Sequence, residues 1–354
     1  MELYSHGWNP YFEKQLKDLK QEGHQVARIV KKNKDHYLIA VNGQPITAKI
    51  SGKFRYNAKL TKDFPVVGDW VMYEMKFDND NHAFIHRVLT RENAYERKLP
   101  ISGGRKINNG LIEGGRTEEQ VIASNIDTAF IVMGLDGNFD IRKVERFLSL
   151  IYQSGIQPVI ILNKIDLCTD IHQIKEQLNE IDNEVPVHYV SAEKDINMDV
   201  FFEYVKFGKT VILLGSSGVG KSTITNFLVG EEKQQKQAIS STSGKGKHTT
   251  TSVELIPLPA CGMIVDTPGV REVQLWGDED ILEQSFKDVR ELSTYCKYRN
   301  CQHRKEPGCA ILTAIEKGSL SRKRVDSYEK QLLELQRLAI KRRNFEKKIN
   351  NKRK

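Results

Sequence analysis

Between Val26 and Leu89 the apolar residues alternate or cluster in five short segments, Val26–Val30, His36–Val41, Ile46–Ile50, Val66–Met75 and Ala83–Leu89. Turn residues such as Asn42-Gly43 and Gly68-Asp69 separate them, so each reads as a strand. Five strands in so short a stretch predict a small barrel, of which the five-stranded nucleic-acid-binding barrel is one kind. Residues 101–124 are rich in Gly, Asn and charge and read as a linker or mobile loop. After them the pattern changes. Strands are predicted at Thr128–Met133, Pro158–Leu162, Val187–Val190, Thr210–Leu214 and Met263–Val265. A helix is marked by Val144, Phe147, Leu148 and Ile151, and another by Ile171–Leu178. Such alternation predicts a parallel sheet with helices on both faces. From Ile281 onward the pattern is mostly helical, and Val325, Tyr328, Leu332, Leu335 and Ala339 mark an amphipathic helix expected to dock on its own protein.

Composition changes this picture little. The chain has 354 residues, 39% hydrophobic and 28% charged, which suits a multi-domain globular protein and excludes collagen-like or disorder-dominated classes. The N-terminus lacks the pattern of a secretory signal, and no apolar run approaches the ~20 residues that span a bilayer, so a cytoplasmic protein without membrane attachment is expected. The net charge of +8 is concentrated at the end: residues 322–354 hold thirteen Lys or Arg against four Asp or Glu. That end is either a nucleic-acid contact or a solvated face. The segment Lys49–Lys62 interleaves Phe54 and Tyr56 with five cations, and reads either as a track for phosphates and bases or as an exposed basic hairpin.

Candidate chemistry begins with Gly215-Ser216-Ser217-Gly218-Val219-Gly220-Lys221-Ser222, which follows an apolar strand and leads into a potential helix. This is the phosphate-loop pattern in its required context. Glycines let successive N–H groups face the phosphates, Lys221 would bridge the β- and γ-phosphates, and the Ser222 hydroxyl would ligate Mg2+. Asn163-Lys164-Ile165-Asp166 ends a buried strand. Guanine presents N1–H and an exocyclic amine side by side, and the Asp166 carboxylate matches that pair where adenine offers none. Asn163 would pin the loop, the Lys164 stem would cover the base, and Ser191-Ala192 would supply an N–H to guanine O6. Together these select GTP and GDP over ATP. Asp266-Thr267-Pro268-Gly269 ends a further strand, placing Asp266 to hold Mg2+ through water and the Gly269 N–H to meet the γ-phosphate. In Lys247-His248-Thr249-Thr250-Thr251, Thr249 or Thr250 would close over the metal. Val270 stands where many GTPases carry a water-orienting glutamine, so either His248 substitutes or a partner completes the site.

The order of these motifs is itself informative. Base-reading elements precede the phosphate loop, whereas ordinary small GTPases have the reverse order, so the domain reads as circularly permuted. The Asp266–Gly269 switch then runs through Val270–Asp280 directly into the C-terminal segment, which the nucleotide state can pull. Near the end, Cys296, Cys301, His303 and Cys309 form C-x4-C-x-H-x5-C, a complete ligand set for one structural Zn2+, with redox-active or incidental cysteines as the alternative.

With the barrel before it and the cysteine cluster after it, the chain resembles the ribosome small subunit-dependent GTPase A family from about Val26 to beyond Cys309. Gly246 to Thr251 and Asp266 to Arg271 carry the resemblance most closely. The resemblance implies binding to the small ribosomal subunit and its RNA, and GTP hydrolysis during late subunit maturation. It points to the same four zinc ligands. The expected architecture is multi-domain: an N-terminal extension (1–22), an OB-like RNA-binding β-barrel (23–98), a central α/β circularly permuted P-loop GTPase (99–280) and a C-terminal α-helical zinc-binding module with a basic tail (281–354). A monomer is expected. The competing expectation is a GTP-dependent RNA-binding regulator of translation or stress in which hydrolysis is secondary.

Overall fold

The structure is a computed structural model. It describes residues 2–19, 25–34, 36–58, 60–76, 82–98, 106–108, 111–113, 119–137, 139–179, 181, 184–230, 253–259, 262–267 and 282–352. Two short helices, α1 (Glu2–Ser5) and α2 (Pro10–Leu19), precede the first strand. They are fastened by aromatics: Trp8 meets Trp70 edge-on at 4.8 Å between centroids, and Phe12 is buried beside them.

Strands β1 (Gln25–Lys32), β2 (Tyr37–Val41), β3 (Gln44–Ile50), β4 (Trp70–Lys76) and β5 (His82–Val88) close into a barrel. The order is β1-β2-β3-β5-β4, β1 also pairs with β4, and only the β3–β5 pairing is parallel. Alternate residues fill its interior, among them Ala27, Ile29, Ile39, Ala48, Val71 and Ile85. This is the barrel expected from the alternation. The basic segment after β3 is not a hairpin: Ser51 accepts the Phe54 N–H and starts a helix, α3 (Gly52–Asn57).

The stretch expected to be a linker also carries structure. β6 (Ala94–Lys98) pairs with β9 (Glu119–Ser124), and β7 (Lys106–Asn108) with β8 (Leu111–Glu113), both antiparallel. Gly68, at φ +91, lies so close to this ladder that a Cβ there would stand 2.2 Å from the Ser124 carbonyl oxygen.

The second half of the sheet has the order β12-β11-β10-β13-β15-β14. Its strands are β10 (Thr128–Gly134), β11 (Gln157–Asn163), β12 (Val187–Tyr189), β13 (Thr210–Leu214), β14 (Glu254–Pro257) and β15 (Met263–Asp266). All are parallel to their neighbours except β14, which runs antiparallel to β15. Period-two alternation separates two cores. Ala129, Ile131, Ile160, Ile212 and Val265 face α4 (Ile141–Ser154) and α5 (Ile171–Leu178), while Phe130, Val132, Val159, Leu213 and Ile264 face α6 (Lys221–Val229).

Arg28 joins the two halves. It is fully buried and donates from Nε to the Gly68 carbonyl, from Nη2 to the Asn125 carbonyl at 2.8 Å, and from Nη1 to Thr210 Oγ1 at 2.9 Å and to the His6 carbonyl. Burial lowers its pKa to about 10, with Asp127, Asp69 and Glu92 opposing that shift.

The C-terminal region consists of α7 (Leu282–Ser285), α8 (Lys287–Thr294), α9 (Ala310–Glu316) and α10 (Arg322–Lys352). As expected, α10 docks on its own chain: Val325 and Leu335 are buried with Leu282, Phe286, Ile311 and Leu150 of α4. A charged cluster seals the junction. Arg324 reaches Glu145 of α4 at 2.7 Å, Asp288 of α8 at 3.0 Å and the Ser285 carbonyl, and Ser327 donates to the other Glu145 oxygen. Among the described residues no helix is long and apolar enough to cross a membrane.

Candidate functional site

The motifs read from the sequence stand at the carboxyl ends of the parallel strands, where an open α/β sheet offers its ligand crevice. Register explains why. Gly134 of β10 lies beside Asn163 of β11, Leu162 beside Tyr189 of β12, Ile131 beside Leu214 of β13, and Ile212 beside Val265 of β15. Segments 163–166, 190–192, 215–222 and 266–267 therefore emerge along one edge.

The phosphate loop leaves β13 with Gly215 at φ +149, Gly218 at +82 and Gly220 at +102. Gly220 caps α6, which begins at Lys221. Ser216, Ser217 and Ser222 lie on this loop and on the first turn of the helix, whose unpaired N–H groups favour an anion. Lys221 Nζ donates to the carbonyls of Gly215 at 2.8 Å and Ser216 at 2.7 Å, so the lysine lies across its own loop. Burial pushes its pKa down.

Asn163 is the hub. Its Nδ2 donates to the Val219 carbonyl at 2.8 Å, and its Oδ1 accepts the Ala192 N–H at 3.0 Å. One buried amide therefore ties together the phosphate loop, the Asn-Lys-x-Asp loop and the Ser-Ala loop. The fit is close: a Cβ on Gly220 would stand 2.1 Å from Asn163 Nδ2.

Lys164 adopts φ +66 and pairs with Asp136 at the end of β10. Asp166 is exposed in the short turn Ile165–Leu167. Ser191 exchanges backbone hydrogen bonds with Ile196, and its Oγ accepts the Lys194 N–H. Both N–H groups of the expected O6 contact are thus engaged within the protein. Asp136, which holds Lys164, was not singled out from the sequence. Its position just past a parallel strand, on the ligand edge, was the available signal.

Asp266 closes β15, and burial, then the Glu254 carboxylate, raise its pKa. Thr267 is buried beside it. Gly269, His248, Thr249 and Thr250 lie outside the described residues, as does the Val270–Asp280 connector.

The structure brings together the four residues of the C-terminal motif. The ligand atoms of Cys296, Cys301, His303 and Cys309 all lie within 4.8 Å of one another. Cys296 Sγ is 3.8 Å from Cys309 Sγ, and His303 Nδ1 is 3.6 Å and 3.4 Å from those two sulfurs. Ordinary Zn–S and Zn–N bond lengths give a tetrahedron with edges of about 3.8 Å between sulfurs and about 3.5 Å from sulfur to nitrogen, so the spacing fits zinc. Glu306 organises the intervening loop. Backbone N–H groups of Gln302, Lys305 and Arg304 donate to its carboxylate and hold its pKa at about 2.

A phosphate loop that follows the base-reading strand in the chain, both converging on one edge of a parallel sheet, defines the class: a circularly permuted GTPase. The family model described as RsgA GTPase matches residues 106–276. A small ribosomal subunit biogenesis GTPase, RsgA 2 of Lactiplantibacillus plantarum, is 37% identical over 92% of this chain and 88% of its own length. Among solved structures, YjeQ from Thermotoga maritima aligns with a TM-score of 0.61 and 25% identity, covering 88% of this chain and 98% of its own. YloQ, a circularly permuted GTPase, aligns with a TM-score of 0.58 and 27% identity over 89% of this chain and 96% of its own. This chain belongs to the RsgA GTPase family.

Proposed function

We propose that this protein hydrolyses GTP in the biogenesis of the small ribosomal subunit, docking on that subunit's RNA as a cytoplasmic monomer through the barrel and the C-terminal module. The observation that carries this reading is the Asn163 bridge, which gives a guanine-selecting loop and a phosphate loop one shared wall. Membership of a family whose relatives are named for small-subunit biogenesis supplies the partner.

In this reading Asp166 selects guanine, Lys164 covers the base, and the N–H groups of the loop with Lys221 hold the phosphates. Ser222 and Asp266 offer one hydroxyl and one carboxylate, the hard oxygen donors that Mg2+ prefers, and the ion would neutralise charge developing on the phosphates. Thr249 or Thr250 would close over the metal, the Gly269 N–H would meet the γ-phosphate, and either His248 or the ribosomal partner would orient the attacking water in place of the glutamine that Val270 does not supply. Cys296, Cys301, His303 and Cys309 would hold a structural Zn2+ that fixes a loop with little apolar core of its own. The basic C-terminal segment and the cations Lys53 and Arg55 of α3 would be the contacts to the RNA.

GTP turnover of the purified protein with small subunits, large subunits or neither tests this reading. Stimulation by small subunits alone, weakening as salt rises, supports it. Equal turnover in all three conditions refutes it.

A further inference from the structure

Lys31, Glu254 and Asp266 stand in one row across three adjacent strands. Lys31 of β1 lies opposite Glu254 of β14, and Glu254 lies opposite Asp266 of β15. Lys31 Nζ and Glu254 Oε2 are 2.7 Å apart, both side chains being about one-third exposed or less. The register of β1 against β2 shifts between Ile29 and Lys31, a bulge of the kind that re-aims a side chain. Period-two alternation places Glu254 on the same sheet face as Ile256, and Asp266 on the face of Ile264; both isoleucines pack in the core shared with Ile224 of α6. Glu254 and Asp266 are therefore neighbouring carboxylates on the face from which the phosphate loop enters its helix, at the separation of a direct cross-strand pair.

We propose that Lys31 and Glu254 are positioning residues for the nucleotide's magnesium, setting by their ion pair the charge beside Asp266. The inference rests on reading Asp266 as the aspartate that holds Mg2+. Glu254 adds negative charge one strand away from that site, and Lys31 offsets it. A side chain of the barrel thus contributes to the field at the phosphate site without moving a strand.

The two partners therefore act with opposite sign, which a merely structural salt bridge between barrel and sheet does not produce. The full-length protein is loaded with a fluorescent GDP analogue, and its release into excess GDP is followed across Mg2+ concentrations. Lys31→Met lowers the Mg2+ concentration that half-suppresses release, by about twofold, and Glu254→Gln raises it by about the same factor. That size is what a unit charge roughly 8 Å from a divalent ion exerts through a water-like, salt-screened path. The double variant returns to the wild-type value, and Lys31→Arg keeps it; melting curves without nucleotide establish that each variant is folded. Shifts of both single variants in the same direction, or no shift in either, overturn the inference while leaving the Asp266 assignment intact. Release that ignores Mg2+ in the wild-type protein overturns both.

Discussion

The Asn163 side-chain amide donates to the Val219 carbonyl at 2.8 Å across a sequence separation of 56 residues, joining the Asn-Lys-x-Asp loop to the Gly-rich loop 215–222. Because Oδ1 of the same amide accepts the Ala192 N–H, removing it leaves a buried carbonyl and a half-buried N–H unsatisfied. Asn163→Ala should lower GTP affinity at least about tenfold and cost about 1–3 kcal/mol of stability, read by calorimetry and by denaturant unfolding. Unchanged GTP affinity would show that the bridge does not organise the pocket.

Gly220→Ala should be at least as damaging to nucleotide binding. The added methyl falls on Asn163 Nδ2, and φ +102 is strained for any side chain. The measurement is GDP retention on a size-exclusion column. Wild-type retention would contradict the close approach of the two loops.

Asp166 is exposed, so Asp166→Asn should leave the melting temperature nearly unchanged while weakening GTP. Xanthosine triphosphate, whose ring carries a carbonyl where guanine has its amine, should lose less or gain. Competition of both nucleotides against labelled GDP separates base reading from a general loss of the site.

The C-terminal junction makes a different prediction. Glu145 is buried against Arg324, and burial already raises its pKa. Arg324→Met leaves that carboxylate without its cation and should cost about 3–5 kcal/mol, with hydrogen exchange rising in α8 and α10 before it rises in the sheet. Adding Glu145→Gln should recover part of the loss. A single-variant cost below about 1 kcal/mol would mean the junction is held by its apolar contacts alone.

For the metal cluster, His303→Ala or a strong chelator should release zinc and loosen residues 296–309, measured as zinc content and local exchange, while GTP affinity stays within about twofold. Unchanged zinc stoichiometry in His303→Ala would remove that residue from the ligand set.

Much of this was legible in the chain because it depends on local pattern. Alternation marked all five barrel strands, continuous apolar runs marked β10, β11 and β13, and fixed spacings marked the phosphate loop and the metal cluster. What escaped depends on distant partners or on a signal hidden by charge. The helix α3 lay within a run of cations that obscured Ser51 as its cap. The β6–β9 ladder joins segments whose own composition favours loops. Arg28 looks in sequence like any surface cation in a strand, and its role exists only where Gly68, Asn125 and Thr210 converge. Glu254 acquires meaning only once strand order places it beside Asp266, and the sole sequence signal for Asp136 was its place just past a predicted strand.

The most direct measurement is calorimetric titration of the folded, nucleotide-free protein with GTP, GDP and ATP in Mg2+. If 163–166 and 215–222 form one guanine pocket, GTP and GDP bind at least about a hundredfold more tightly than ATP, as a site built to pair with the base's donors requires. Equal affinity for GTP and ATP, or binding of neither, would contradict it.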